Sequence, residues 1–306
     1  MSARPELSLV VVHWYDEGHL GELLAAVPAD PRFEVVVVDN GSRVLPPIAG
    51  QGRRLVAATT NLGFAGGANA GVARAEAELL LILNPDARPE PGALEALLQG
   101  FARHPEAAGL APRLLGPDGA PQHRWQLRPL PRPGQLLAQT LFLDPVRGPE
   151  VEPAAASPVE QPAAAALALR RTAWEAVAGL DPRFHPAWFE DVDLARRLRD
   201  GAAPILYWPD ATFRHSAGAT VSTLGYGPFL AAYHRNLRRY LRRHHGRGWA
   251  AAARALLVKG SALRLALLPL RRPRRAASRR QAAAALLTLG REALTGRGQG
   301  SDGAGR

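Results

Sequence analysis

The chain contains no cysteine, which excludes disulfide frameworks, thiol catalysis and zinc–thiolate sites together. Lysine is almost absent as well. Lys259 is the only one, so 37 of the 38 basic residues are arginine. Beside so much Ala, Gly and Pro, that excess reads as nucleotide-composition bias and carries no chemical weight. The N-terminal MSARPELSLVVVHWY lacks a basic stretch followed by an apolar run and a small-residue cleavage site, so no secretory leader is expected. No run of about 18 uninterrupted apolar residues exists either. The greasiest stretch, 250–270, is broken by Arg254, Lys259 and Arg264, and a spanning helix is not expected there.

What is present suffices for a sizeable core. The 306 residues are 47% apolar, near the upper limit for one core, so one domain with an appendage or two domains is expected. The formal net charge of +11 is unevenly placed. Residues 1–234 carry 20 Arg against 25 Asp and Glu, whereas 235–306 carry 17 Arg and Lys259 against Glu292 and Asp302. The expected division is a slightly acidic domain over 1–234, a basic helical extension over 235–295 and a disordered tail over 296–306. Such an extension suits nucleic acid phosphates, an anionic membrane surface, or a solvated helical cap. Few aromatics for base stacking (Tyr233, Tyr240, Trp249) and no nucleic-acid motif favour the membrane surface, and no nucleic acid is expected.

The N-terminal half alternates β-branched runs with helical spacing. LSLVVVH (7–13) and FEVVVV (33–38) read as parallel strands covered on both faces, with a helix over 20–27 between them. A weaker strand at 55–58, a helix at 68–77 and a strand at 79–83 follow. This pattern predicts an α/β domain with a mostly parallel sheet flanked by helices, in which ligands sit beyond the carboxyl ends of the strands. Three loops at that edge draw attention. Asp39-Asn40-Gly41-Ser42 offers a carboxylate to a base or ribose, although Asn-Gly is also an ordinary turn. NLGFAGGANAG (61–71) offers glycines for close approach and two amides. It is not a dinucleotide fingerprint, because it does not follow the first strand. Asn84-Pro85-Asp86-Ala87 places a carboxylate that can carry a divalent cation bridging a diphosphate, although this too alone would be an ordinary turn.

Residues 112–162 are proline-rich and read as an excursion able to line an acceptor site. Further on, Trp188 and Phe189 precede Glu190, Asp191 and Asp193 at a helix start. Acids there suit the helix dipole. Beside two aromatics, however, a partly desolvated carboxylate also makes a useful base. Asp193 is expected to support the helix or an arginine. A strand at 204–208 is followed by His215, a potential metal or diphosphate contact.

Jointly, VVVDNGS (36–42), NLGFAGGANAG (61–71), LLILNPDA (80–87), GLDPRFHPAWFEDVDLARRL (179–198) and YWPDATFRHSAGAT (207–220) resemble the inverting family 2 glycosyltransferases of the GT-A nucleotide-diphospho-sugar transferase fold, rhamnosyltransferase-like branch. The resemblance spans about residues 7–240. It implies that Asp39, Asn61, Gly63 and Asn69 contact the donor nucleotide, that Asp86 and His215 hold Mg²⁺ or Mn²⁺, and that Asp191 is the catalytic base. Beside that base, Glu190 is expected to touch the acceptor, and Trp188 either to stack on an acceptor sugar or to pack inside the hydrophobic layer. Tyr15 stands where members carry asparagine and receives no role, and alanines at 163–166 replace a common Gly-Ala. The implied reaction moves a sugar from a dTDP- or UDP-sugar to a glycan or polyprenyl-linked acceptor. The implied setting is the cytoplasm, peripheral on the inner face of the cytoplasmic membrane, in envelope polysaccharide synthesis. Two alternatives remain: a non-catalytic sugar-nucleotide-binding homologue, and a sugar nucleotidyltransferase. The latter would need a basic glycine-rich loop after the first strand, where HWYDEGHL stands.

Overall fold

The computed structural model of the chain describes residues 4–48, 50–143, 147–216, 224–270 and 276–295. Residues 217–220 of the last motif and the tail 296–306 lie outside them. The chain forms two compact units: residues 1–130 with 147–220, and residues 131–146 with 221–306.

The first unit is built on a nine-stranded sheet. β1 (Leu7–His13), β2 (Phe33–Asp39), β3 (Arg53–Ala57) and β4 (Leu79–Leu83) run parallel in the order β3-β2-β1-β4. β10 (Ala166–Arg170) enters antiparallel between β4 and β6 (Gly109–Leu115). β11 (Ile205–His215) runs parallel to β6. On β11, β5 (Ala87–Pro89) and β8 (Ser157–Val159) pair antiparallel. Six strands therefore share one direction and three oppose it. β7 (Leu127–Arg128) and β9 (Gln161–Pro162) form a separate two-stranded ribbon.

Alternation along β1 explains its unbroken apolar run. Leu7, Leu9 and Val11 face one core with Leu20 and Leu23 of α1 (Glu17–Ala26) and Leu94, Leu97 and Phe101 of α3 (Ala93–Arg103). Val10 and Val12 face the other, with Ala65 and Ala68 of α2 (Gly63–Val72) and Leu194 and Leu198 of α7 (Glu190–Asp200). With both faces covered, a strand has no polar side to show.

α2 begins five residues earlier than the spacing predicts, inside the glycine-rich segment. Those glycines serve the sheet rather than an open loop. A Cβ on Gly71 would collide with Val10 and Val38, and one on Gly67 with Val12. Glycine disfavours helices by about 1 kcal/mol per residue, but here it lets the helix axis settle close onto β1 and β2.

Two consecutive arginines tie the helices down. Arg170 donates to the carbonyls of Phe101 and His104 at the end of α3, and of Ala107 beyond it. Arg171, opening α6 (Arg171–Ala176), donates to the carbonyls of Val72 at the end of α2 and of Ala75 and Ala77 beyond it. Cations there satisfy the unpaired terminal carbonyls. α4 (His123–Gln126) lies within the proline-rich excursion. β11 is longer than its sequence suggests, because the pairing register shifts between Trp208 and Thr212 and the strand resumes beyond Pro209.

The second unit is helical: α5 (Pro133–Thr140), α8 (Tyr226–His244), α9 (Arg247–Leu267) and α10 (Arg279–Thr295). Tyr226, Leu230, Leu257, Leu286 and Leu289 form its core. The charge boundary at 234/235 falls inside α8, and α5 joins this unit from the excursion. Composition changes where surface chemistry changes, whereas the structural boundary follows packing. Among the described residues no helix is long and apolar enough to cross a membrane.

Candidate active site

The carboxyl ends of β2, β4 and β11 form one rim of the sheet. β2 ends at Asp39, which is fully buried. The Asp16 amide donates to Nε2 of His13 at 3.1 Å, so His13 keeps its proton on Nδ1 and donates it to Asp39 Oδ1 at 3.2 Å. Asp39 Oδ2 accepts from the Ser42 amide at 3.0 Å. Asn40 knits the next loop to this strand end: its Oδ1 accepts from the Leu62 amide, and its Nδ2 donates to Asn61 Oδ1 and the Gly63 carbonyl. Gly63 sits at φ +72°, and a Cβ there would meet the His185 ring at 2.8 Å. Asp39, Asn61 and Gly63 are thus assembled together. Asn69 is not part of that assembly. Its amide bridges the backbone of Leu180 in both directions, at 2.7 and 3.1 Å, and clamps α2 to the segment leading to α7.

Beyond β4, Asp86 is buried, and its Oδ1 lies 3.6 Å from Nε2 of the equally buried His215, the last residue of β11. Burial pushes the His215 pKa down, opposed by the Asp86 carboxylate. Both line a cavity of about 200 Å³, together with His19, Glu22, Arg88 and Ser216. His19, hydrogen-bonded to Asp16 at 2.7 Å, has its pKa raised by that contact and by the charges of Asp16, Asp86 and Glu22, while burial lowers it. Arg88 pairs with Glu22 and Arg214 with Glu90, each at 2.5 Å.

An acidic oxygen and an imidazole nitrogen facing each other across 3.6 Å, too far to share a hydrogen bond, suit a hard or borderline divalent cation. Among the described residues no cluster of three or more His, Asp or Glu side chains could hold a metal. Two protein ligands fit a Mg²⁺- or Mn²⁺-type site whose remaining ligands are substrate phosphates and water.

Asp191 reaches the same rim by a different route. β10 runs antiparallel to β4, so the residues before Ala166 lie beside those after Leu83, and the Asn84 amide donates to the Ala165 carbonyl at 2.9 Å. Asp191, in the first turn of α7, accepts hydrogen bonds from the backbone of Ala164 and of Val192, the latter at 2.8 Å. Its other oxygen faces Gln161 Nε2 at 3.4 Å. The base candidate is thereby pinned beside the Asn84–Asp86 corner. Trp188 and Phe189 make this possible. Both adopt left-handed backbone, at φ 75° and 73°, and turn the chain sharply into α7. Such conformations cost about 1–3 kcal/mol and persist where the surroundings impose them. Asp193 is fully buried and pairs with Arg197 at 2.8 Å, holding the helix as expected.

Burial raises the pKa of Asp191, and the Arg128 charge and the backbone donors pull it back. Glu190 is pushed up further, by burial first and by the Asp191 charge second, and its buried Oε2 has no hydrogen-bond partner. A carboxyl with a raised folded-state pKa contributes stability below the ordinary carboxylate range and loses it as pH rises through the raised value. Glu190→Gln is therefore expected to melt above wild type at about pH 8. About 2–4 °C is the shift that 1 kcal/mol produces in a domain of this size. The gain should shrink towards pH 4.5, the ordinary glutamate value; thermal melts at both pH values check this.

His13, Gln161 and Arg128 receive no role in the sequence reading, and Asn40 and Ala164 appear there only as a turn residue and as part of an alanine run. They act through tertiary contacts between distant segments and carry no local signature.

The mixed sheet flanked by helices is the GT-A fold. The family model described as Glycosyl transferase family 2 matches residues 8–147. An N-acetylglucosaminyl-diphospho-decaprenol L-rhamnosyltransferase of Mycobacterium tuberculosis is 30% identical over 300 residues, covering 88% of this chain and 95% of the relative. The chain belongs to glycosyltransferase family 2. Among solved structures, GalNAc-T7 with UDP, GalNAc and Mn²⁺ shares the fold at a TM-score of 0.55 and 12% identity, over 78% of this chain and 48% of that one. The mannosyltransferase PcManGT from Pyrobaculum calidifontis, in complex with GDP-Man and Mn²⁺, does so at 0.52 and 15%, over 97% and 89%.

Proposed function

We propose that the chain is an inverting, divalent-cation-dependent glycosyltransferase that moves rhamnose from dTDP-rhamnose, or failing that a sugar from a UDP-sugar, to a polyprenyl-diphosphate-linked glycan in cell-wall synthesis. One observation carries the reading. Asp86 and His215 face each other at the rim where the backbone beside β4 also holds Asp191. The name of the mycobacterial relative supports the choice of donor sugar and acceptor.

In this reading an acceptor hydroxyl attacks the anomeric carbon opposite the leaving group. The bond to the diphosphate breaks with its electron pair leaving on phosphate oxygen, and the hydroxyl proton passes to Asp191. A base of raised pKa is well matched to that transfer. The nucleotide is assigned to the loop assembly that Asp39, Asn61 and Gly63 form, with Asp39 buried at its base, while Asn69 secures the helix behind them. Asp86 and His215 would hold a divalent cation, which supplies, when bound, neutralisation of charge developing on the diphosphate. The cavity they line is smaller than the roughly 300–1,000 Å³ of whole-ligand pockets, so it takes the diphosphate end of the donor. Glu190 and Trp188 are assigned to the acceptor.

The test is nucleotide release from a panel of sugar nucleotides, with Mg²⁺ or Mn²⁺ and a GlcNAc-diphospho-lipid analogue, with and without EDTA. Acceptor-stimulated, EDTA-sensitive release from dTDP-rhamnose supports the reading. Binding without release would favour the non-catalytic alternative.

The basic segment 235–295 is proposed to hold the enzyme peripherally on the anionic inner face of the cytoplasmic membrane, raising the local concentration of a lipid-linked acceptor. Flotation with anionic liposomes is expected at low salt and should weaken at high salt. No binding under either condition would remove this part.

A further inference from the structure

We infer that Gln122 is a positioning residue that fixes the tautomer of His215, so that Nε2 always presents a lone pair towards Asp86. The inference rests on reading Asp86 and His215 as cation ligands.

The argument follows from what each atom can do. The His215 carbonyl can only accept a hydrogen bond, so the group facing it at 2.9 Å is the Gln122 amide nitrogen. That contact settles the orientation of the Gln122 amide. Its oxygen must therefore be the atom 2.8 Å from His215 Nδ1. An amide oxygen only accepts, so Nδ1 carries the proton. The opposite nitrogen, Nε2, points at Asp86 Oδ1 from 3.6 Å, too far to share a hydrogen bond. Two electron-pair donors thus face one another across a gap.

Three features keep the ring in this setting. Gln122 is anchored by its own amide, which donates to the Leu114 carbonyl at 2.9 Å, on the strand neighbouring β11. The two hydrogen bonds between Gln122 and His215, one donated by each residue, close a ring that resists rotation of either side chain. The Trp125 indole then stacks on the imidazole, with centroids 5.3 Å apart and planes 19° from parallel. Metal-ligating histidines commonly donate their second N–H to an oxygen acceptor, and loss of that partner typically weakens metal affinity 10–100-fold. The proline-rich excursion therefore supplies the support of a ligand that lies 93 residues further along the chain.

The experiment has two readouts, neither of which is turnover. The ring-nitrogen resonances of His215 are recorded by NMR on ¹⁵N-labelled protein without metal, and the Mn²⁺ affinity is measured by EPR in the presence of dTDP. Wild type should show a pyrrole-like Nδ1 and a pyridine-like Nε2. Gln122→Leu should mix the tautomers and weaken Mn²⁺ binding about 10–100-fold. Gln122→Glu, which still offers an acceptor to Nδ1 but loses the donor to the His215 carbonyl, should keep the wild-type tautomer and recover part of the affinity. A wild-type His215 protonated on Nε2 overturns the inference without any variant. So does Gln122→Leu with unchanged resonances and unchanged affinity. His215→Ala separates the two levels. If it leaves Mn²⁺ binding intact, the cation site itself is misread and the inference falls with it. If it abolishes binding and Gln122→Leu does not weaken it, only the role of Gln122 falls.

Discussion

Asp191→Asn is expected to lower turnover about 10²–10⁴-fold, the range a well-placed general base supplies, while donor affinity stays near wild type. The substitution keeps the shape and one oxygen, so the contact with Val192 can persist. What it removes is the capacity to take a proton from the acceptor hydroxyl. Because that loss is confined to the transition state, kcat and kcat/KM fall together. The wild-type pH profile provides a second test. Burial lifts the Asp191 pKa above its ordinary 3.8, and only the ionised form acts as a base. Activity should therefore rise with pH through a value above 3.8, and the variant should lose that limb. Equal loss of donor binding with intact turnover would count against the role.

Asp86→Asn should fail in a different way. Losing the carboxylate charge opposite His215 should weaken Mn²⁺ retention and, with it, the hold on the donor diphosphate. Removing several kcal/mol of charge stabilisation corresponds to about 10³-fold in kcat/KM, with donor KM rising as well. Nucleotide titrations at fixed Mn²⁺ distinguish the two variants, because donor affinity drops for Asp86→Asn and holds for Asp191→Asn.

The parts of this arrangement that can be read in the sequence are those whose physics is local. The valine runs of β1 and β2 announce strands covered on both faces, and the carboxylates that end β2 and follow β4 lie where alternating α/β order puts them. The glycine-rich segment misleads in its detail. Glycine's low helix propensity argues for a loop at 61–67, but Gly67 and Gly71 let α2 approach Val12, Val10 and Val38 more closely than any other residue could. Asn69 looks like a ligand contact and is engaged by the backbone of Leu180, 111 residues away. The antiparallel entry of β10 has no signature in an alanine-rich stretch, yet it carries Ala164 to the rim and fixes where Asp191 sits. Gln122 is likewise one polar residue among prolines until the fold brings it against His215.

The central claim is that carboxylates far apart in the chain meet at one cleft, and paramagnetic broadening tests it most directly. Mn²⁺ and dTDP are added to ¹⁵N-labelled protein, and amide resonances are followed at low occupancy of the metal. The account predicts that amides around Asp86 and His215 broaden first and that those of Ala164, Asp191 and Val192 broaden with them. Broadening around residue 86 that leaves residues 164 and 191–192 sharp would place the proposed base away from the bound diphosphate and contradict the account.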